Sequence, residues 1–124
     1  MNNKEDSLKE KFKHALISTV RAISDDYKNS INTLNSKNNN FYKLDKLDNL
    51  NNKSDFIRLR AEADTAALKK KFSDKIIYNK NLPTNSSCKS LYSLSEKIRY
   101  EVLGGKMLQG IKKNLSENYY QNIN

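Results

Sequence analysis

The sequence predicts an all-α, or mostly α, domain of three to four helices. Three observations carry that expectation. Ser7-Leu8-Lys9-Glu10 has the form of a capping box just ahead of a helically spaced apolar run. Residues 56–72, FIRLRAEADTAALKKKF, wind into a helix with a wide apolar arc. Leu91, Leu94, Ile98, Val102 and Gly105 then fall along one stripe of a further helix.

In the first helix, Ser7 is expected to accept from the first turn while Glu10 reaches back. Leu8, Phe12, Ala15, Leu16, Thr19, Ala22 and Ile23 form its inward stripe, with Val20 at the edge. The pattern breaks after Ser24, at Asp25-Asp26. Residues 27–54 are Asn-rich and aperiodic, a polar insertion that reads either as a loop or as a small β-hairpin pairing YKNSINTL with FYKLDKL. Ser54 or Asp55 then caps the second helix, which fades near Lys71 to Ser73. Asp74 to Tyr78 adds a turn or two before Pro83 breaks the chain, and Thr84 or Ser86 supplies a fresh cap. The third helix, flanked by Tyr92 and Leu103, is expected to end on a left-handed residue at Gly104-Gly105. KMLQGIKKNL forms a shorter piece with Gly110 as its weak point, and SENYYQNIN a frayed polar tail. Residues 1–118 are thus expected to form one helical domain, with 119–124 as tail.

Composition narrows the function classes. Hydrophobic residues make up 36% of the 124, below the usual share of about 45–50%, so the core must be modest. Cys88 and His14 stand alone, which rules out a disulfide within the chain and a Cys/His metal cluster. No apolar run approaches the roughly 18 residues of a membrane span, and MNNKEDSLKE lacks the apolar centre of a signal peptide. A cytoplasmic protein is expected. His14 is placed near the edge of a polar face and Cys88 as half-buried, with nothing tying one to the other. GGKMLQG has the wrong spacing for a phosphate loop. Asp25-Asp26 and Asp45/Asp48 lie in polar stretches, where carboxylates are solvated. The chain is therefore expected to carry no catalytic and no metal-binding residues.

The formal charge of +9 raises an alternative, a small basic helical protein that binds nucleic acid. Against it, 19 of the 23 basic residues are lysine, and the four arginines are Arg21, Arg58, Arg60 and Arg99. Arginine suits bidentate phosphate recognition better. Abundant lysine and asparagine also follow from codon drift in a genome poor in G and C. Nucleic acid and membrane are accordingly not expected as partners.

One feature of the second helix breaks the pattern: Arg60, Asp64 and Lys71 fall in the middle of its apolar arc. Arg60 and Asp64 are four apart, within reach of each other, and Asp64 and Lys71 lie two turns apart on one side. The expectation is a polar pin that fixes helix register while Ala61, Ala63 and Ala67 permit close approach. Glu96, Arg99 and Glu101 of the third helix are candidate counter-charges. A sharper version has the pin also facing a partner protein.

Three blocks, HALISTVRAIS (14–24), RLRAEADTAAL (58–68) and EKIRYEVLGGKMLQGIKKNL (96–115), together resemble the amino-terminal region of CobT, a subunit of the aerobic, ATP-dependent cobaltochelatase of cobalamin biosynthesis. The positions that carry the resemblance are Arg21-Ala22-Ile23, then Arg60, Ala63, Asp64, Ala67 and Leu68, then Glu96, Arg99, Glu101, Gly104, Gly110, Ile111, Asn114 and Leu115. The basic-plus-Met pair of the third block is blurred into Lys106-Met107-Leu108, and residues 27–54 match little. The family's acidic linker and metal-adhesion domain, with its D-x-S-x-S motif, do not follow here. A fragment or a shortened relative is therefore expected. The resemblance implies a non-catalytic partner role beside an AAA+ ATPase and a large corrin-binding subunit, in a complex that inserts cobalt into hydrogenobyrinic acid a,c-diamide. The complex would use ATP, magnesium and cobalt, with no cofactor held by this chain.

Overall fold

A central helix enclosed on three sides organises the molecule. The computed structural model describes residues 3–25 and 52–123. They form α1 (Asn3–Ser24), α2 (Lys53–Phe72), a short α3 (Lys75–Lys80), α4 (Ser86–Met107) and α5 (Gln109–Ile123). No strand occurs among the described residues, so the fold is all-α. The loop or hairpin expected over 27–54 lies outside the described residues, save its last three, which open α2.

α2 packs against α1, α4 and α5, and α4 packs against α5. This explains why α2 shows an arc rather than a stripe: Leu59, Ala61, Ala63, Asp64, Ala67 and Leu68 are all buried. Alanine at so many of these positions lets neighbouring backbones come close. α1 lays Leu16, Val20 and Ile23 on α2, with Phe12 edge-on to Phe56 at 4.8 Å between ring centres. Its contact face is rotated from the one expected, because Leu8, Ala15, Thr19 and Ala22 are exposed and Val20 is central. α5 adds Ile111 and Leu115 to the core.

The helix ends correct several expected caps. α1 begins by Asn3, which puts Ser7 inside the helix, so the capping box does not form there. Asn52 rather than Ser54 or Asp55 caps α2, its side chain accepting from the Asp55 N–H at 3.1 Å. Asp74 caps α3 by accepting from Ile76 and Ile77. Asn85, not Thr84 or Ser86, caps α4 by accepting from Ser87 and Cys88. Asparagine caps as well as serine does, so a neighbouring Asn is enough to move each start. α1 closes on Asp25, whose φ of 56° is left-handed; aspartate tolerates that region better than most residues.

Gly104-Gly105 does not end a helix. No described glycine has a positive φ, and α4 runs on to Met107 with the extended Leu108 as its cap. Gly104 is there for space: a Cβ built on it would lie 2.3 Å from Leu68 Cδ2. Nor does the chain fray after Ser116, since α5 continues to Ile123 and Gln121 Nε2 donates to the Ser54 carbonyl at 3.1 Å.

α4 contains the largest departure. Its expected inward stripe faces outward: Leu91, Leu94, Ile98 and Val102 are 66%, 54%, 52% and 51% exposed. Tyr100, Glu101 and Gly104 face inward instead. Gly104 permits the close approach to Leu68, and facing it inward turns the apolar stripe to solvent.

Glycine to alanine substitutions should therefore diverge. Leu68 is fully buried and cannot swing aside, so Gly104→Ala overpacks the crossing and costs about 1–3 kcal/mol in chemical denaturation. Gly110→Ala meets nothing within 4 Å and should instead stabilise by about 0.4–1 kcal/mol.

Candidate functional site

The polar residues of the core meet where α2 crosses α4 and α5. Asp64, only 2% exposed, accepts from Asn114 Nδ2 of α5 at 2.8 Å. Its neighbour Thr65 donates from Oγ1 to Glu101 Oε1 of α4 at 2.9 Å. Glu101 is 8% exposed, and its Oε2 accepts from the Tyr119 hydroxyl of α5 at 2.6 Å. Lys97, one turn back on α4, stands 4.0 Å from the same carboxylate. Two adjacent residues of α2 thus tie it to both other helices.

Further polar links sit at the ends of these crossings. Arg99 forks onto Glu96 with Nε at 2.9 Å and Nη2 at 2.6 Å, and Nη2 also donates to the Phe72 carbonyl at 2.7 Å. Ser73 Oγ donates to Glu96 at 3.0 Å. The final carbonyl of α2 is thereby held by an α4 cation, a favourable place for positive charge. On the other side, Lys71 Nζ donates to Asp25 Oδ2 at 2.6 Å, closing α2 onto the end of α1.

The electrostatics follow from these surroundings. Burial raises the Asp64 pKa above its ordinary 3.8, against the opposing pull of the Asn114 hydrogen bond and the nearby Arg60 charge. Glu96 is shifted the other way, lowered chiefly by its hydrogen bond from Arg99. Burial, followed by the hydrogen bond to Glu101, pushes the Tyr119 hydroxyl up to about 12.

The expected pin of Arg60, Asp64 and Lys71 does not form as such; a different polar cluster holds Asp64. Asp64 is its buried centre, but Arg60 is exposed and contributes only through its charge; Lys71 serves Asp25, not Asp64. Asn114 and Glu101 lie in that cluster, Ala63, Leu68 and Gly104 are packed around it, and Glu96 and Arg99 pair with each other nearby. Arg21 is half-buried on α1, its Nε buried without a hydrogen-bond partner. Gly110 lies in the open first turn of α5. Cys88 is exposed rather than half-buried, and His14 is exposed. Among the described residues no group of three or more His, Cys, Asp or Glu side chains could hold a metal ion, and no helix is long and apolar enough to cross a membrane.

Thr65 and Tyr119 were not expected. A helical projection of α2 sets Thr65 opposite the apolar arc, because a projection ignores a third neighbouring helix. Tyr119 fell in the expected tail, although Ile111, Leu115 and Tyr119 recur every four residues and mark a continuing helix.

The family model described as cobalamin biosynthesis protein CobT matches residues 6–124. The chain belongs to the CobT family. Searches of the curated proteins and of the solved structures find no match. Membership associates this CobT-family chain with cobalamin biosynthesis and with the multi-subunit chelatase of that pathway. The second and third blocks of the CobT resemblance become physical here, since Asp64, Leu68, Glu101, Gly104 and Asn114 meet at one crossing.

Asp64 gives two linked expectations. Asp64→Ala leaves Asn114 without its acceptor and should cost about 1–3 kcal/mol. A raised carboxyl pKa means the folded state holds its proton longer, so stability falls as pH climbs from 3.8 through the raised value. Asp64→Asn keeps the acceptor without the charge. It should match or exceed the parent at neutral pH, and the difference should vanish below the ordinary pKa; melting curves across that range check it.

For Tyr119, a raised pKa means stability is kept below 10 and lost as pH rises from there to about 12. In a phenolate absorbance titration of the seven tyrosines, one late titration should disappear in Tyr119→Phe. That variant should also lose about 1–3 kcal/mol, because Glu101 is left with one donor fewer.

Proposed function

We propose that this chain is a non-catalytic assembly module of the ATP-dependent cobaltochelatase. It docks onto the AAA+ ATPase subunit, the large corrin-binding subunit, or both. Those subunits would handle ATP, magnesium and the cobalt that enters hydrogenobyrinic acid a,c-diamide, while this chain positions them.

The single observation behind this reading is the uncovered apolar face of α4. Leu91, Leu94, Ile98 and Val102 stay exposed on a helix that instead buries a glutamate. Contiguous exposed apolar surface of this kind marks an interaction site. The polar crossing beneath supports the same role by fixing the angle at which that face is presented. Family membership supplies the complex in which the partner is to be sought.

The nucleic-acid alternative draws on the +9 charge. Two of the four arginines are already engaged with acidic neighbours, Arg58 with Asp55 and Glu62, and Arg99 with Glu96.

Co-purification separates the two readings. The full chain should retain the cognate ATPase or corrin-binding subunit, and should bind DNA or RNA weakly at any salt. A folded chain that retains neither subunit overturns the assembly role. Nucleic-acid binding that falls steeply between about 50 and 200 mM salt would support the alternative.

A further inference from the structure

We infer that the groove between α4 and α5 receives an acidic amphipathic helix of a partner protein, an inference that rests on the assembly role above. The groove has a volume of about 720 Å³, with Leu94, Ile98 and Val102 on one wall and Leu115 and Tyr119 on the other. Gly105 forms part of its floor, where α4 and α5 come close: a Cβ there would stand 3.5 Å from Lys112 Cβ. From Leu91 to Val102 the exposed stripe extends about 16 Å, or three helical turns. That is the reach of one helix presenting apolar anchors three or four residues apart.

Charge selects the occupant. Lys106 and Lys112 line the groove and are both exposed. The carboxylate among its lining residues, Glu101, is already taken by Thr65 and Tyr119. A visiting helix therefore meets ammonium groups beside apolar surface and no available acid. Aspartate or glutamate flanking its anchors would be paired, and lysine would be repelled. A second copy of this chain is disfavoured for the same reason, because it would bring lysines of like sign together on a chain of net charge +9.

The full-length chain is titrated with two labelled four-turn peptides that share leucine anchors at helical spacing and carry either glutamate or lysine between them. The glutamate peptide should bind, more weakly as salt rises, and the lysine peptide should not. Ile98→Asp and Val102→Asp change residues that are already half-exposed, and each should weaken binding at least about tenfold by setting a carboxylate against the anchors. The double charge reversal Lys106→Glu/Lys112→Glu should invert the peptide preference, which covers the case in which an apolar variant misfolds. Several results would overturn the inference: no binding, equal binding of both peptides, or undiminished binding by folded Ile98→Asp. Self-association abolished by Ile98→Asp, or capture by phosphatidylserine vesicles in place of the peptide, would do so too. Retention of the ATPase subunit by Ile98→Asp as strongly as by the parent refutes the groove and leaves the assembly role standing. Peptide binding without subunit retention refutes the assembly role and leaves the groove.

Discussion

Two carboxylates taken out of water at one helix crossing constrain everything else in this molecule. Asp64 and Glu101 must each find donors inside the protein, because an unpaired buried carboxylate is far more costly than any gain from packing it. The donors come from two helices: Thr65 beside Asp64 on α2, and Asn114 and Tyr119 on α5. Satisfying both acids at once leaves α2, α4 and α5 with a single mutual arrangement. Such a network adds little net stability when complete; its effect is to make other arrangements expensive.

That constraint explains the unusual surface. Glu101 and Gly104 face α2, and the helical period carries Ile98 and Val102 round the helix from them, about 60° and 100° from Glu101, where the described chain leaves them exposed. The hydrophobic effect alone would have turned α4 the other way. The specific contacts win because they include a glycine against Leu68, where a side chain cannot fit, and a carboxylate with two donors.

The sequence was legible where one helix face decides the outcome and illegible where three helices share a neighbour. The all-α class, the approximate limits of α2 and the burial of Asp64 followed from spacing and from a charge set among small residues. The direction of α4 did not follow, since periodicity identifies an apolar stripe without saying whether this chain covers it. Likewise Arg60 looked like the partner of Asp64 because it lies four residues away, whereas the structure satisfies that acid through Asn114, fifty residues along. Asp64, Glu101 and Asn114 were all singled out among the family blocks, but which of them met which was a property of the tertiary crossing. The caps were missed for a smaller reason, since Asn52 and Asn85 compete equally with adjacent serines and threonines.

The consecutive placement of Asp64 and Thr65 has a consequence for how this helix can change over time. Each residue turns the α-helix by about 100°, and the two side chains serve different neighbours across that angle. Adding or deleting one residue between the Asn52 cap and Asp64 would swing both away from their acceptors and donors together. Compensation would need simultaneous changes on α4 and α5. α2 therefore behaves as a fixed-length gauge: substitutions can accumulate along its exposed positions, but its count of residues is locked by geometry.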